Sequence, residues 1–228
     1  MDVDPRAVLF DMDGLMLDTE PLAMRAWHET AGALGVAFDE ELCRRLVGHN
    51  FAGCRALIRA HYPDDYPVEA LLARWHETYD AIVAREGVAV KTGVHELLDW
   101  LDEVRLPRAI ATSTRRARAA AKLTEAGLLA RFDALVGGDE VAHGKPAPDI
   151  YLEAARRLAV EPAHCVVLED SEPGARAGLA AGMMVVVVPD LTHPCADLAA
   201  CCRVERSLHE VRAHLAALAG PERYNPAP

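Results

Sequence analysis

The sequence predicts an α/β protein, a doubly wound parallel sheet with an all-helical domain inserted after its first strand. Three observations carry this expectation. Five short apolar runs recur along the chain without polar alternation, as in strands covered on both faces. Amphipathic helical stretches separate the later runs, which is the βαβ rhythm. Residues 20–86 break that rhythm, with helical spacing throughout and no strand pattern.

The first strand is Ala7–Phe10, ending at Asp11. Pro21 opens the first inserted helix, in which Leu22, Ala26, Trp27 and Leu34 fall near helical spacing and Gly35 supplies a stop. Asn50 is placed to cap a second helix that runs to Tyr62, before Pro63. A third spans Val68–Glu86, with Leu71, Leu72, Trp75, Tyr79, Ile82 and Val83 as its core stripe. A helix over 94–104 leads back to the sheet. Strands follow at 108–111, 134–136, 165–168 and 184–188, with helices at 115–126, 148–158 and 172–181 between them. The expected division is 1–18 and 90–220 for the core, 19–89 for a helical cap, and 221–228 for a frayed tail.

Composition narrows the function. The 228 residues are 51% hydrophobic and 26% charged, ordinary globular usage. With 24 Lys and Arg against 35 Asp and Glu, the net charge is −11. Such a chain is a poor partner for nucleic acid or anionic membranes. The longest uncharged apolar stretch, 177–189, falls short of the roughly 18–20 residues that span a bilayer. No basic, apolar leader opens the chain, so a cytoplasmic location is expected; a monomer is expected as well. Six cysteines sit at 43, 54, 165, 195, 201 and 202. Cys195, Cys201 and Cys202 with His193 and His209 fit no standard zinc spacing.

In an open parallel sheet, ligands bind beyond the carboxyl ends of the strands. There the sequence places Asp11 and Asp13, Thr112 and Ser113, and Glu169 and Asp170; Lys145 comes from the loop Gly144-Lys145-Pro146. Each feature alone has an ordinary reading as a helix cap or a surface loop. Four of them at one sheet edge do not. Clustered carboxylates want a hard cation, and Mg²⁺ suits an all-oxygen set. A carboxylate beside that ion can attack phosphorus, while a lysine and hydroxyl or amide donors hold the phosphoryl oxygens. The chemistry to expect is phosphoryl transfer.

Four segments carry a resemblance. They are Phe10-Asp11-Met12-Asp13-Gly14 through Asp18-Thr19-Glu20, Ala111-Thr112-Ser113, Gly144-Lys145-Pro146-Ala147-Pro148-Asp149, and Leu168-Glu169-Asp170-Ser171 with Gly174. Together they resemble the four motifs of the haloacid dehalogenase-like superfamily, in the branch of phosphatases and β-phosphoglucomutases. The resemblance implies a Rossmann-like core and a helical cap. It implies Asp11 as nucleophile and Mg²⁺ ligand, and Asp13 as general acid and then base, its carbonyl also on the metal. It further implies Thr112 and Ser113 on the phosphoryl group, Lys145 bridging, and Glu169 and Asp170 completing the metal site. The expected substrate is a small phosphorylated metabolite. A mutase is the alternative. Mutases of this kind carry His four residues after the Thr of the first motif and Arg three residues after the cap-loop glycine, where this chain has Ala23 and Phe51. His49, Asn50, Phe51 and Arg55 are the cap residues expected to meet substrate, with Trp27 a further candidate that fits the cap core better.

Overall fold

A computed structural model describes residues 4–191 and 193–219. The expected tail at 221–228 lies outside the described residues. Six parallel strands form one sheet: β1 (Ala7–Phe10), β2 (Arg108–Thr112), β3 (Ala134–Gly137), β4 (Cys165–Glu169), β5 (Met184–Val187) and β6 (Arg203–Val204). Their order is β3-β2-β1-β4-β5-β6, so the chain reverses direction across the sheet at β1 and β4. Loops on either side of that reversal open a crevice at the carboxyl edge.

The helices are α1 (Glu20–Leu34), α2 (Glu40–Leu46), α3 (Phe51–His61), α4 (Val68–Glu86), α5 (Val94–Glu103), α6 (Arg116–Glu125), α7 (Asp149–Leu158), α8 (Glu172–Ala180), α9 (Ala196–Ala199) and α10 (Leu208–Ala219). Alternation along each strand divides the core in two. Val8, Phe10, Ile110, Val166 and Leu168 face α5, α6 and α10, while Ala7, Leu9, Ala109, Ala111 and Val167 face α7 and α8. Small residues dominate the second face and let α7 lie close to the sheet.

The structure adds α2, β6, α9 and α10 to the expected elements. β6 is two exposed residues with no apolar run to mark it. α10 is different, because Leu208, Val211 and Leu215 do recur at helical spacing and are buried.

Helices α1 to α4 have their own core, in which Trp27, Leu42, Leu46, Ile58, Leu71 and Leu72 are buried. Trp27 stacks on Trp75 at 4.8 Å and Trp75 on Tyr79 at 5.0 Å, joining α1 to α4. The two connections to the sheet run side by side. Asp18 N donates to Ala89 O at 2.9 Å and Lys91 N to Met16 O at 2.8 Å. This short antiparallel pairing sets the helical layer over the carboxyl edge.

Candidate active site

Asp11 follows β1 and is buried, with its amide donating to Leu168 O at 3.0 Å. That bond fixes it between β1 and β4, at the point where the strand order reverses. Lys145, on the loop before α7, is also buried and donates to Asp11 Oδ1 at 2.5 Å and to Glu169 Oε1 at 2.6 Å. Burial opposes its charge, but Asp11 and Glu169 more than offset this and hold the ammonium above its ordinary range.

Glu169 and Asp170 are neighbours with opposite circumstances. Glu169 is saturated. Its Oε1 accepts from Lys145 and from the Tyr151 hydroxyl at 2.6 Å, and its Oε2 accepts from the Ser171 amide at 3.1 Å and hydroxyl at 2.9 Å. The carboxylate lies flat over Gly174, where a Cβ would fall 1.7 Å from Oε1. Asp170 Oδ2 is buried with no hydrogen-bond partner among the described residues. Oxygens of Asp11, Glu169 and Asp170 converge within 4.8 Å. Burial, then the charges of Asp11 and Glu169, push the Asp170 carboxyl well above its usual range, and burial pushes Asp11 up too. A buried trio of acids with one orphaned oxygen has the donor set and the charge deficit that a hard divalent cation satisfies.

Asp13 faces the cavity side. Thr114 Oγ1 donates to its Oδ2 at 2.7 Å and Lys122 Nζ to its Oδ1 at 2.8 Å. Burial would raise its carboxyl, but the Lys122 charge and bonds from Lys122, Thr114 and Thr19 outweigh that and hold it below the ordinary range. Gly14, at φ +82°, turns the chain directly after it; a Cβ there would lie 2.2 Å from Asp170 Oδ2. Thr112 is buried at the end of β2 with Oγ1 accepting from Thr114 N at 3.1 Å, whereas the Ser113 hydroxyl turns away to Gly48 O at 3.1 Å.

The helical layer closes a cavity of about 570 Å³ over these groups. Its loop at Gly48 docks on the core, since a Cβ on Gly48 would lie 2.4 Å from Ser171 Oγ and one on Gly144 would meet Asn50 Nδ2 at 2.0 Å. His49, Asn50 and Phe51 line the cavity. Asn50 also caps α3, its Oδ1 accepting from Gly53 N at 3.0 Å. Phe51 stacks on His76 at 4.3 Å. Arg55 does not join them and corrects the expectation. It lies one turn along α3 on the outer side, where its guanidinium forks onto Glu69 at 2.9 and 3.1 Å. Trp27 is core and wall at once, 4% exposed with an edge on the cavity.

Tyr151, Thr114, Lys122 and Glu20 complete the surroundings and were not singled out by sequence patterning. Tyr151 falls on the same α7 stripe as Ala154, Ala155 and Leu158, so its burial was legible there. Nothing in the spacing distinguishes Lys122 from a solvated helix lysine.

Residues 5–182 match the haloacid dehalogenase-like hydrolase family. The chain belongs to this family. It is 38% identical over 178 residues to a phosphorylated carbohydrates phosphatase of Thermotoga maritima, covering 78% of this chain and 82% of that one. It is 37% identical over 182 residues to the fructose-1-phosphate phosphatase YqaB of Escherichia coli, covering 79% and 95%. The crystal structure of CbbY from Rhodobacter sphaeroides in complex with phosphate superposes with a TM-score of 0.77 at 32% identity, covering 91% of this chain and 96% of that one. These relatives place the hydrolase in the phosphatase and β-phosphoglucomutase-like branch. Among the described residues, no helix is long and apolar enough to cross a membrane.

Proposed function

We propose that this hydrolase is a Mg²⁺-dependent phosphatase of small phosphorylated sugars, working through a phosphoryl group carried on Asp11. The observation that carries the reading is the contrast at the sheet edge. Asp11 is buried, backed by Lys145 and flanked by the orphaned Asp170, and it opens into a cavity whose other acid, Asp13, is separately poised. The sugar-phosphate phosphatases among the relatives supply the substrate class.

Lys145, the Thr112 hydroxyl and the Ser113 amide hold the phosphoryl oxygens. An Asp11 oxygen attacks phosphorus in line, the ester P–O bond breaks, and Asp13 gives its proton to the leaving oxygen. Water then attacks the phosphorus and Asp13 takes its proton, releasing phosphate and regenerating Asp11. As the base Asp13 works in the form seen here, ionised against Lys122. As the acid it carries a proton and turns from Lys122 to the leaving oxygen. Asp11, Asp170, Glu169 and the Asp13 carbonyl are the residues that would hold Mg²⁺, and Glu169 is the most heavily hydrogen-bonded of them. The ion, when bound, neutralises charge between Asp11 and the phosphoryl oxygens.

The test is phosphate release from a panel of sugar and nucleoside monophosphates, with Mg²⁺, after EDTA, and with Ca²⁺. Release that needs Mg²⁺, is restored by it and falls with Ca²⁺ is expected. Undiminished release in EDTA refutes the metal role. In a coupled assay with a trace of glucose 1,6-bisphosphate, isomerisation of β-glucose 1-phosphate outrunning phosphate release by about tenfold favours a mutase instead. Ala23 and Phe51 on the cavity wall argue against that outcome, because neither holds a second phosphate.

A further inference from the structure

We propose that Glu20 and Tyr79 form a subsite for a hydroxyl on the carbon next to the phosphate ester, so that the enzyme selects polyol and sugar esters over esters of simple alcohols. The inference rests on the phosphatase reading above and adds the residues that read the alcohol.

Both groups are buried polar side chains with a hydrogen-bonding requirement left unmet among the described residues. Glu20 opens α1, is 8% exposed, lines the cavity, and makes neither a hydrogen bond nor an ion pair. Tyr79 of α4 is 3% exposed and lines the same cavity; its buried hydroxyl has the Lys122 ammonium beside it as a donor but, among the described residues, no acceptor for its own proton. Native interiors seldom leave such groups unpaired, and each costs about 1–3 kcal/mol when they do. Two in one cavity mark a place where a ligand supplies the missing partners.

Their position names the ligand atom. Glu20 Cγ lies 3.4 Å from where a Cβ on Gly14 would stand, immediately after Asp13. Lys122 joins the other side, 2.8 Å from Asp13 and 4.9 Å from the centroid of the Tyr79 ring. The pair therefore flanks the acid that protonates the leaving oxygen. The group nearest that oxygen, one carbon further along the alcohol, is what these side chains meet. A hydroxyl there can donate to a Glu20 carboxyl oxygen and accept from the Tyr79 phenol, which satisfies both. The wall is apolar at Met24, Trp27, Leu46 and Trp75, while His49, Asn50, His76, Arg115 and Arg118 line other parts of the same cavity. Because α1 packs along α4 through the Trp27–Trp75 stack, the two groups are held at a fixed separation. An ester without the hydroxyl leaves the Glu20 oxygens and the Tyr79 proton unmet, and sites of this kind reject such analogues strongly.

The experiment compares propane-1,2-diol 1-phosphate with propyl phosphate, which differ by that one hydroxyl, at saturating Mg²⁺. Wild type should favour the diol ester in kcat/KM by about thirtyfold or more. The nearly isosteric Tyr79→Phe should cut this preference about fivefold, mostly through KM, and Glu20→Gln about tenfold. The Mg²⁺ concentration giving half-maximal rate should stay within about twofold of wild type in both variants. Wild type without a preference overturns the inference, as does a preference that survives in both variants. A tenfold rise in the Mg²⁺ requirement of Glu20→Gln also overturns it, assigning Glu20 to the metal instead. So does turnover of a hexose phosphate with none of the diol ester. The absence of phosphate release from all these esters refutes the phosphatase reading itself, whereas release without hydroxyl discrimination refutes only the subsite.

Discussion

The four carboxylates at the sheet edge differ in what each has been given as a partner. Among the described residues, Asp11 has Lys145, Asp13 has Lys122 and Thr114, Glu169 has five donors, and Asp170 Oδ2 has none. Carboxylates a few ångströms apart thereby become suited to different work. Asp11→Asn keeps the shape and the Lys145 contact but removes the anionic nucleophile. Phosphate release should drop by at least about a thousandfold while the circular dichroism spectrum is unchanged. A variant that keeps a tenth of the wild-type rate would rule out covalent transfer through this residue. Lys122 tests the second acid. Lys122→Met should lower kcat about ten- to a hundredfold by removing the cation that holds Asp13 ionised and in place as the base, and Lys122→Arg should recover part of it. Steady-state rates for the three proteins decide this, and a Met variant within about threefold of wild type would show that the ion pair is incidental.

At the scale of elements, the loop between α2 and α3 does two jobs. It presents His49 and Phe51 to the cavity, and it docks on the core through Gly48 and Asn50. The Asn50 side chain also starts α3 by accepting from Gly53 N. Asn50→Ala should cost about 0.5–2 kcal/mol through the lost cap, seen as a melting temperature lower by about 1–8 °C. It should also raise KM, because the same residue fixes the cap loop against Gly144. Thermal melts and a substrate titration on one preparation separate the two effects, and a change in neither would mean that the loop holds its shape without the cap. The pattern of apolar spacing found α3 and α4 but not α2, whose seven residues give too short a period to stand out from the surrounding loop.

Over the whole molecule, the concentration of buried acid charge is a cost of folding that a cation offsets. Glu20 is pushed up to about 8 by burial and then by Asp13, Asp190 and Asp11, while Asp11 and Asp170 are also raised. A carboxyl whose pKa is higher folded than unfolded binds more protons when folded, so stability falls as pH climbs between the two values. Metal-free protein should lose stability from about pH 4 to pH 8, as followed by denaturant midpoint, and Mg²⁺ should flatten that slope. At a hundredfold excess over its dissociation constant, Mg²⁺ should add about 2.7 kcal/mol, or about 5–10 °C in melting temperature. Asp170→Asn should make the metal-free protein more stable and abolish the gain from Mg²⁺. An equal gain in both proteins would place the ion elsewhere.

The sequence by itself determined the sheet, its parallel sense and the side on which the chemistry lies. Strands buried on both faces must be apolar throughout, and the polar residue that ends each one is thereby delivered to a single edge. Asp11, Thr112 and Glu169 are legible for that reason, and Lys145 from its place in a motif. Tertiary structure alone decided which carboxylates are paired and which are left bare. It set Lys122 of α6 against Asp13, Tyr151 of α7 against Glu169, and Glu20 of α1 beside Tyr79 of α4 on the cavity wall. It also turned Arg55 outward to Glu69. Local spacing records which face of a helix is apolar. It does not record which distant element that face meets, and the partners that tune a buried charge come from those distant elements.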